Sequence, residues 1–340
     1  MLGSQKRAGP PPASSPTVTA NGQWRSPLPV RFLVGRKTRR LAAPYLLILP
    51  SAALLILLLL WPTIQIGIYS FQNYGIPQVL GTMPTQWVGF ANYSQIFSDP
   101  EFWSSLKISV VFAVIVVPLT LIVGTLVGLL LNALGRRMAA FVSTTALLAW
   151  AMPPVSASVL FVWLFDPDGG VVDWTLARIP SWLGGGAHWA GYNWTTSSAV
   201  PAYTIVLLLV VWQAFPFIAV SVLAGLKMIP SELGEAARVD GASPWRSFWS
   251  VTFPILKPIF MVLLLLSVIW DFGIFTQAYL VTGELGNRNE YNLGIYAYDK
   301  AFTTPPSYGL ASAMALILTL VLLVISIWYV RANVKQGATA

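Results

Sequence analysis

A short polar stretch between two long apolar segments carries residue types suited to contact with another protein. It contains Glu235, Ala236 and Ala237, and Gly241 follows shortly after them. A glutamate can form a charge-assisted hydrogen bond with an arginine of a partner, and alanines leave room for a partner to approach closely. These residue types predict a docking segment rather than a catalytic centre.

The same stretch predicts a first helix that ends at a defined residue. Ser231 is expected to be its N-cap, and the glutamates near it complement the positive end of the helix dipole. Gly241 is expected to end the helix, because glycine adopts the left-handed conformation without steric cost. The docking segment is therefore expected to start as a short capped helix.

A second helix is predicted directly after this turn. Ser243 is expected to cap it, with Pro244 in its first position, where no amide hydrogen is needed. Pro254 and Pro258 are expected to end it, because a proline disfavours the helical conformation of the residue that precedes it. The two helices together predict a hairpin over residues 230–258.

Asp271 is the only ionisable residue deep inside an apolar segment. A carboxylate in hydrocarbon costs about 2.5–3.5 kcal/mol, so it should face the bundle interior or water. On a continuous helix its face would be shared by Phe275, Ala278 and Thr282, with Tyr279 nearby. A carboxylate and aromatic rings together suit a sugar. The alternative is a structural acid that bonds to a neighbouring helix.

A second candidate cluster lies in the preceding apolar segment. Trp212 and Gln213 are close there to Pro216, which removes a backbone hydrogen bond. The pair is expected either to line a pathway with Asp271 or to serve packing alone.

Several kinds of chemistry are excluded by composition. The chain has no cysteine, which excludes disulfides, thiolate catalysis and cysteine metal sites. Its single histidine, His188, cannot form a histidine cluster, so no metal site is expected. It also lacks the phosphate loop Gly-x-x-x-x-Gly-Lys-Ser/Thr, so it does not itself bind ATP in that way.

The elements that position these residues are apolar enough to cross a membrane. Of 340 residues, 56% are hydrophobic and only 9% are charged, far fewer charges than soluble domains carry. A span takes about 20 apolar residues. The fold class is therefore predicted to be all-α and polytopic, with six transmembrane helices. They are expected at about 42–69, 107–132, 141–165, 200–225, 258–282 and 307–330.

The basic residues are distributed unevenly along this predicted topology. With the N-terminus in the cytoplasm, sixteen of the twenty Lys and Arg lie on the inner side. This distribution predicts cytoplasmic termini and argues against nucleic acid as the reason for the net charge of +8. Residues 1–40 are expected to be a disordered basic tail, 41–334 the membrane domain and 335–340 a short tail.

The loop over residues 166–199 has two interpretations. It is rich in glycine and holds four tryptophans, Trp174, Trp182, Trp189 and Trp194. Tryptophans on an outer face suit a sugar or a protein partner. They equally suit a segment that lies on the bilayer surface.

The docking segment resembles the EAA motif of permease subunits from binding-protein-dependent ABC importers. Glu235, Ala236 and Ala237 match its opening, and Gly241 falls at the expected interval. Pro254 matches its closing proline, whereas the apolar residues before it are substituted. Asp240 to Ser243 and several stretches outside the segment are similar to carbohydrate permeases of the maltose-importer (MalF) type.

This resemblance implies a sugar permease subunit of the inner membrane. Its implied partners are a second permease subunit, two copies of an ATPase subunit, an extracytoplasmic solute-binding protein, a sugar and membrane lipid. ATP and magnesium would bind to the ATPase, and this chain would hold no cofactor and catalyse no reaction. The residues of the hairpin would couple ATP hydrolysis to transport.

Three other functions are weighed against this one. Permeases for glycerol phosphate or polyols look similar at this level. An ion-coupled secondary transporter would need more ionisable residues at the membrane midplane than Asp271 alone. A membrane enzyme would need several convergent polar groups inside the spans, and the sequence shows few.

Overall fold

A computed structural model describes residues 48–282, 288–303 and 305–337; the side chains of residue 289 and residues 332–337 are not described. Residues 1–40, predicted to be a tail, lie outside this part. The chain falls into two compact units, Met1–Pro62 and Thr63–Ala340. The candidate sites lie within the second.

Long helices dominate the described residues. The helices of the predicted spans are α1 (Ile48–Tyr69), α4 (Pro100–Ala133), α5 (Arg136–Ala151), α6 (Pro154–Leu164), α8 (Ala199–Leu226), α10 (Pro244–Phe272) and α13 (Tyr308–Gly337). Five are long and apolar enough to span a membrane, and α5 with α6 makes a sixth if that bent pair is one span. The predicted all-α polytopic fold is confirmed.

Short elements connect the long helices. Between α1 and α4 lie a two-stranded antiparallel ribbon and two helices: β1 (Gln72–Asn73), α2 (Ile76–Val79), β2 (Gln86–Trp87) and α3 (Ala91–Ser98). The remaining short helices are α7 (Val171–Leu176), α9 (Ser231–Val239), α11 (Thr276–Val281) and α12 (Leu293–Phe302). Helices α11 and α12 connect α10 to α13.

Helix α8 forms the centre of the bundle, where 56% of its most apolar stretch is buried. It packs closely against α4 at two glycines. A methyl group at Gly124 would lie 2.5 Å from Cγ2 of Ile218, and one at Gly128 would lie 2.9 Å from the carbonyl oxygen of Ala219. This small-x-x-x-small pattern lets the two backbones approach, as in other membrane helix pairs.

Two predicted spans are interrupted. The span predicted at 141–165 is a helix pair, α5 and α6, bent by 96°. Pro153 and Pro154 cause the break, because neither has an amide hydrogen and Met152 before them is forced into the extended region (φ −66°, ψ 131°). The span predicted at 258–282 is also wrong in its bounds, since α10 ends at Phe272 and a new helix begins at Thr276.

The ends of other spans also differ from the prediction. Helix α4 begins at Pro100 because Asp99 caps it, accepting a hydrogen bond from the N–H of Glu101. Helix α13 continues to Gly337, so the tail predicted at 335–340 starts inside a helix. The predicted start of the first span, at residue 42, lies outside the described residues.

The prediction of the hairpin is correct for its turn and wrong for each of its two ends. Helix α9 begins at Ser231 with Pro230 extended before it, so Ser231 is not the N-cap. Pro254 and Pro258 do not end the second helix, which continues into the fifth span as α10. A π-helical turn at Phe248–Thr252 precedes Pro254, and its wider bonding accommodates the missing amide hydrogen.

The tryptophan-rich loop folds around its own aromatic rings. Trp189 and Trp194 stack with their centroids 5.0 Å apart. The indole N–H of Trp194 donates to Oδ1 of Asp173 at 2.5 Å, and both residues are buried. Trp174 and Trp182 remain exposed. The two interpretations of this loop, partner contact and bilayer contact, both remain predictions.

Candidate functional site

The break between α5 and α6 is held by a polar side chain from the centre of the bundle. Nε2 of Gln213 on α8 donates a hydrogen bond of 2.7 Å to the carbonyl oxygen of Met152. Met152 lies in the extended break, outside both helices, so its carbonyl has no helical partner, and inside a membrane such a group must be satisfied by protein or water. Gln213 therefore supplies the hydrogen-bond donor that the Met152 carbonyl needs at the break.

The break between α10 and α11 lies beside the first one. Gly273 ends α10, and Phe275 precedes α11. From α11, Nε2 of Gln277 reaches to Oε1 of Gln213 at 3.4 Å. The two broken spans are thus linked through one glutamine of α8.

A cavity of about 400 Å³ lies where these breaks meet. Three sequence-predicted residues line it: Asp271, Phe275 and Gln213. Further polar groups come from Gln277 and Thr276. The rest of its lining consists of Trp150, Met152, Pro154, Val210, Ala214, Trp270, Gly273 and Ile274. A cavity of this size and mixed lining is suited to a small, hydroxyl-rich ligand.

Aromatic rings and one carboxylate set the chemistry of this cavity. Trp150 stacks on Phe217 at 5.4 Å, and Trp270 meets the same ring edge-on at 5.9 Å. Asp271 is 6% exposed. Among the described residues, the lining includes neither Lys nor Arg. The cavity can accept hydroxyl donors and stack an apolar sugar face, but it offers no cation to an anionic ligand.

Two other sequence-predicted residues lie away from the cavity wall. Trp212 packs against Phe161, with centroids 5.6 Å apart, and lines a neighbouring apolar groove. Tyr279 stacks on Phe275 at 5.2 Å and so supports a lining residue from behind. The predicted shared face of Asp271, Phe275, Ala278 and Thr282 is wrong, because the helix breaks after Phe272.

The turn of the hairpin is a complete Schellman motif. Gly241 has φ +74°, and its N–H donates to the carbonyl of Arg238 at 3.0 Å. The N–H of Ala242 donates to the carbonyl of Ala237 at 2.9 Å. Ser243 then caps the next helix by accepting from the N–H of Arg246 at 3.3 Å. The path of the chain from Ala237 to Pro244 is thus fixed by two backbone hydrogen bonds and the side-chain cap of Ser243.

The hairpin presents an exposed surface that combines charge with apolar side chains. Glu235, Ala236 and Asp240 are exposed, and Ala237 is half-buried. Glu235 forms no ion pair with the described residues. Val239 is 87% and Trp245 72% exposed, and Trp245 meets Trp249 at 5.7 Å. Pro254, further along the same helix, is also exposed. Such a patch on a monomer is typical of a protein interface.

Comparison with known proteins assigns the chain to a family. Its residues 120–335 match the family described as "Binding-protein-dependent transport system inner membrane component". The chain belongs to this family of ABC importer permeases. It is therefore an integral inner-membrane protein and a non-catalytic transport subunit.

Two relatives match the permease over most of its length. The "Diacetylchitobiose uptake system permease protein DasB" of Streptomyces coelicolor is 40% identical over 294 residues, which cover 86% of this chain and 87% of the relative. The "Trehalose/maltose transport system permease protein MalF" of Thermococcus litoralis is 29% identical over 87% of this chain and 95% of its own. The resemblance to the maltose-importer type is confirmed.

A solved structure supports the fold of the permease. A chain from the crystal structure of a bacterial ABC transporter that imports the acidic polysaccharide alginate superposes with a TM-score of 0.72. It is 20% identical, and the match covers 89% of this permease and 98% of that chain.

Some residues of the candidate site carried little signal in the sequence. Met152 contributes only a backbone carbonyl, and Trp150 lies in an otherwise ordinary apolar helix. The proline pair after Met152 was the one available indication of a break. Gln277 was not predicted, although an amide in a mostly apolar segment close to Asp271 is a signal that could have indicated it.

Proposed function

We propose that this permease forms half of the translocation pathway for a neutral sugar, a di- or oligosaccharide, in an ATP-driven importer. The observation that carries the proposal is the cavity, where a carboxylate, two glutamine amides and aromatic rings converge at two helix breaks. The relatives named for diacetylchitobiose and for trehalose/maltose transport support the same substrate class.

The importer would need partners on both sides of the membrane. A second permease would complete the pathway, and an extracytoplasmic binding protein would deliver the sugar. Two ATPase subunits would bind ATP and magnesium, so this chain would need no cofactor or metal. The excess of Lys and Arg on one side supports cytoplasmic N- and C-termini, and that side includes the hairpin.

The hairpin would transmit ATP-driven motion into the membrane. Its exposed Glu235 suits an arginine of the ATPase, and Ala236 and Ala237 leave room for close contact. The second helix of the hairpin is the start of α10, which ends at Asp271 and Phe272 beside the cavity. A movement of the hairpin would therefore be carried along one helix to the cavity wall.

Glycerol phosphate is the weaker of the candidate substrates. A phosphate group binds most strongly to Arg or Lys, and the described lining of the cavity has a carboxylate instead. A polyol remains chemically compatible with this lining. An ion-coupled mechanism finds little support, because Asp271 is the one titratable residue of the lining.

Uptake by the purified complex in proteoliposomes tests the substrate class. With binding protein outside and ATP inside, we expect accumulation of a neutral di- or trisaccharide and no competition by glycerol phosphate. Accumulation of glycerol phosphate in preference to any sugar would contradict the proposal.

A further inference from the structure

The side-chain amide of Asn292 connects the start of α12 to the break between α10 and α11 through two hydrogen bonds. Its Oδ1 accepts a hydrogen bond of 2.9 Å from the N–H of Ile295, which caps α12. Its Nδ2 donates at 2.5 Å to the carbonyl oxygen of Ile274 in the break between α10 and α11. Asn292 is 1% exposed. One buried side chain thus starts an outer helix and satisfies a backbone group of the cavity wall.

Helix α12 approaches this break closely. A methyl group at Gly294 would lie 3.1 Å from the carbonyl oxygen of Ile274 and 3.2 Å from Cβ of Phe275. The N–H of Leu293 also donates to Oγ of Ser109 on α4 at 2.9 Å. The start of α12 is therefore fixed between α4 and the broken span.

The middle and far end of α12 are bonded to residues at the start of α4. The hydroxyl of Tyr296 donates to Oδ2 of Asp99 at 2.8 Å, and Nζ of Lys300 lies 3.1 Å from the same oxygen. Lys300 also pairs with Glu101 at 3.6 Å. Because both ends are held, α12 cannot shift without breaking polar contacts.

The break between α10 and α11 is held by contacts from neighbouring elements as well as by its own backbone: Ile274 is buried, and the ring of Phe275 packs on Tyr279 and Tyr298. Residues 273–275 lie between helices; the carbonyl of Phe275 accepts the first helical hydrogen bond of α11, from the N–H of Tyr279, whereas that of Ile274 accepts from the Asn292 side chain instead. Gly273, Ile274 and Phe275 all line the cavity. Their position is therefore set in part by the elements that contact them from outside.

We propose that α12 positions the cavity wall and that Asn292 is the positioning residue, acting through its bond to the Ile274 carbonyl. Asn292 does not touch the substrate. This inference rests on the proposed function only in that the cavity is taken to be the sugar pathway.

Asn292→Asp separates the two roles of this side chain. The positive end of the α12 dipole favours the ionised form of aspartate at this N-cap, and ionised aspartate keeps an oxygen to cap α12 but has no donor for the Ile274 carbonyl. Since the chain has no cysteine, Thr276→Cys supplies a single thiol at the cavity wall. Its rate of reaction with a maleimide in the assembled complex reports the position of the wall, independently of transport.

We expect Asn292→Asp to change the rate of thiol labelling at position 276 by about fivefold or more, because an unsatisfied buried carbonyl must find a new partner. Sugar uptake should fall by about tenfold in the same complex without the reporter cysteine. Labelling and uptake that both stay within about twofold of the parent values would overturn the inference.

A second variant keeps the inference testable if Asn292→Asp does not assemble. Gly294→Ala leaves Asn292 intact and pushes on the same carbonyl, so it should alter labelling in the same way. Gly135→Ala is the matched control, because a methyl group there meets nothing within 4 Å. Unchanged labelling in Gly294→Ala would overturn the inference even without Asn292→Asp.

The two proposals fail in different ways. If the parent complex takes up no sugar, the proposed function fails while labelling still tests the role of α12. If the parent transports sugar and both variants label and transport like it, only the role of α12 fails.

Discussion

Nε2 of Gln213 lies 2.7 Å from the carbonyl oxygen of Met152, and this hydrogen bond joins the central helix to the break between α5 and α6. Oε1 of the same side chain accepts a hydrogen bond from Nε2 of Gln277, which lies in the other broken span. The cavity between these breaks therefore depends on one side chain for its shape as well as for part of its polarity.

Replacement of this donor should impair transport strongly. Gln213→Met retains the approximate size of the side chain but cannot donate to Met152, and a buried carbonyl without a donor costs about 1–3 kcal/mol. We expect sugar uptake by the complex to fall by about tenfold or more. Ser221→Ala is the control on the same helix, because its hydroxyl bonds only within that helix. Equal uptake in both variants would refute this role for Gln213.

Changes to the cavity wall should affect transport without preventing assembly. Asp271→Asn replaces one oxygen that would accept hydrogen bonds from sugar hydroxyls with an amide nitrogen, and Phe275→Ala removes a ring that would stack on the sugar. We expect each to lower uptake by about tenfold while the complex purifies in normal yield. Trp212→Phe, outside the cavity, should transport normally. Normal uptake kinetics in both cavity variants would remove this site from the pathway.

Changes to the hairpin should separate ATP hydrolysis from transport. Glu235→Arg would repel a partner arginine, and Gly241→Leu would force a bulky residue into the left-handed region at about 1–2 kcal/mol. The number of ATP molecules hydrolysed per sugar transported should rise in both. Gly234→Ala is the control, since its φ is not positive and a methyl group there meets open space. An unchanged ratio in both variants would disprove the coupling role.

The contact between α12 and α4 should weaken in acid. Burial alone would raise the pKa of Asp99, but hydrogen bonds from Tyr296, the Glu101 amide and Lys300 outweigh it and lower the pKa below its ordinary value of 3.8. Because the pKa of Asp99 is lower in the folded state, its ionised form stabilises the fold at pH values above the ordinary pKa. This stabilisation is lost as the pH falls through the lowered pKa.

The melting temperature of the complex measures this effect. Wild type should melt above Asp99→Asn by a constant margin from neutral pH down to about pH 5. That margin should shrink as the pH falls below the ordinary value of 3.8. A margin that is the same at all pH values would show that Asp99 does not act through its charge.

The local signals in the sequence were sufficient for the turn of the hairpin and for the spans in outline. Gly241 and Ser243 take the predicted conformations because caps depend on a few adjacent residues. Hydropathy located the spans because a membrane helix must be apolar along its length. Asp271 was expected to face the interior, and it lines the cavity.

The breaks and their partners could not be predicted in the same way. The fifth span looks continuous in hydropathy, so the end of α10 at Phe272 was missed. The bonds from Gln213 to Met152 and from Asn292 to Ile274 join residues far apart in the chain, which no local pattern encodes. Trp212 precedes Gln213 in sequence but turns away from the cavity, because consecutive helical residues point about 100° apart.

ATP-dependent uptake is the most direct test of the account. Proteoliposomes that contain the full complex should accumulate sugar when binding protein is outside and ATP inside, and ionophores that collapse proton and sodium gradients should leave the rate unchanged. Glu235→Arg should lower this uptake by a larger factor than it lowers ATP hydrolysis. Uptake that needs an ion gradient and proceeds without ATP would contradict the assignment of this chain's transport to an ATP-driven importer.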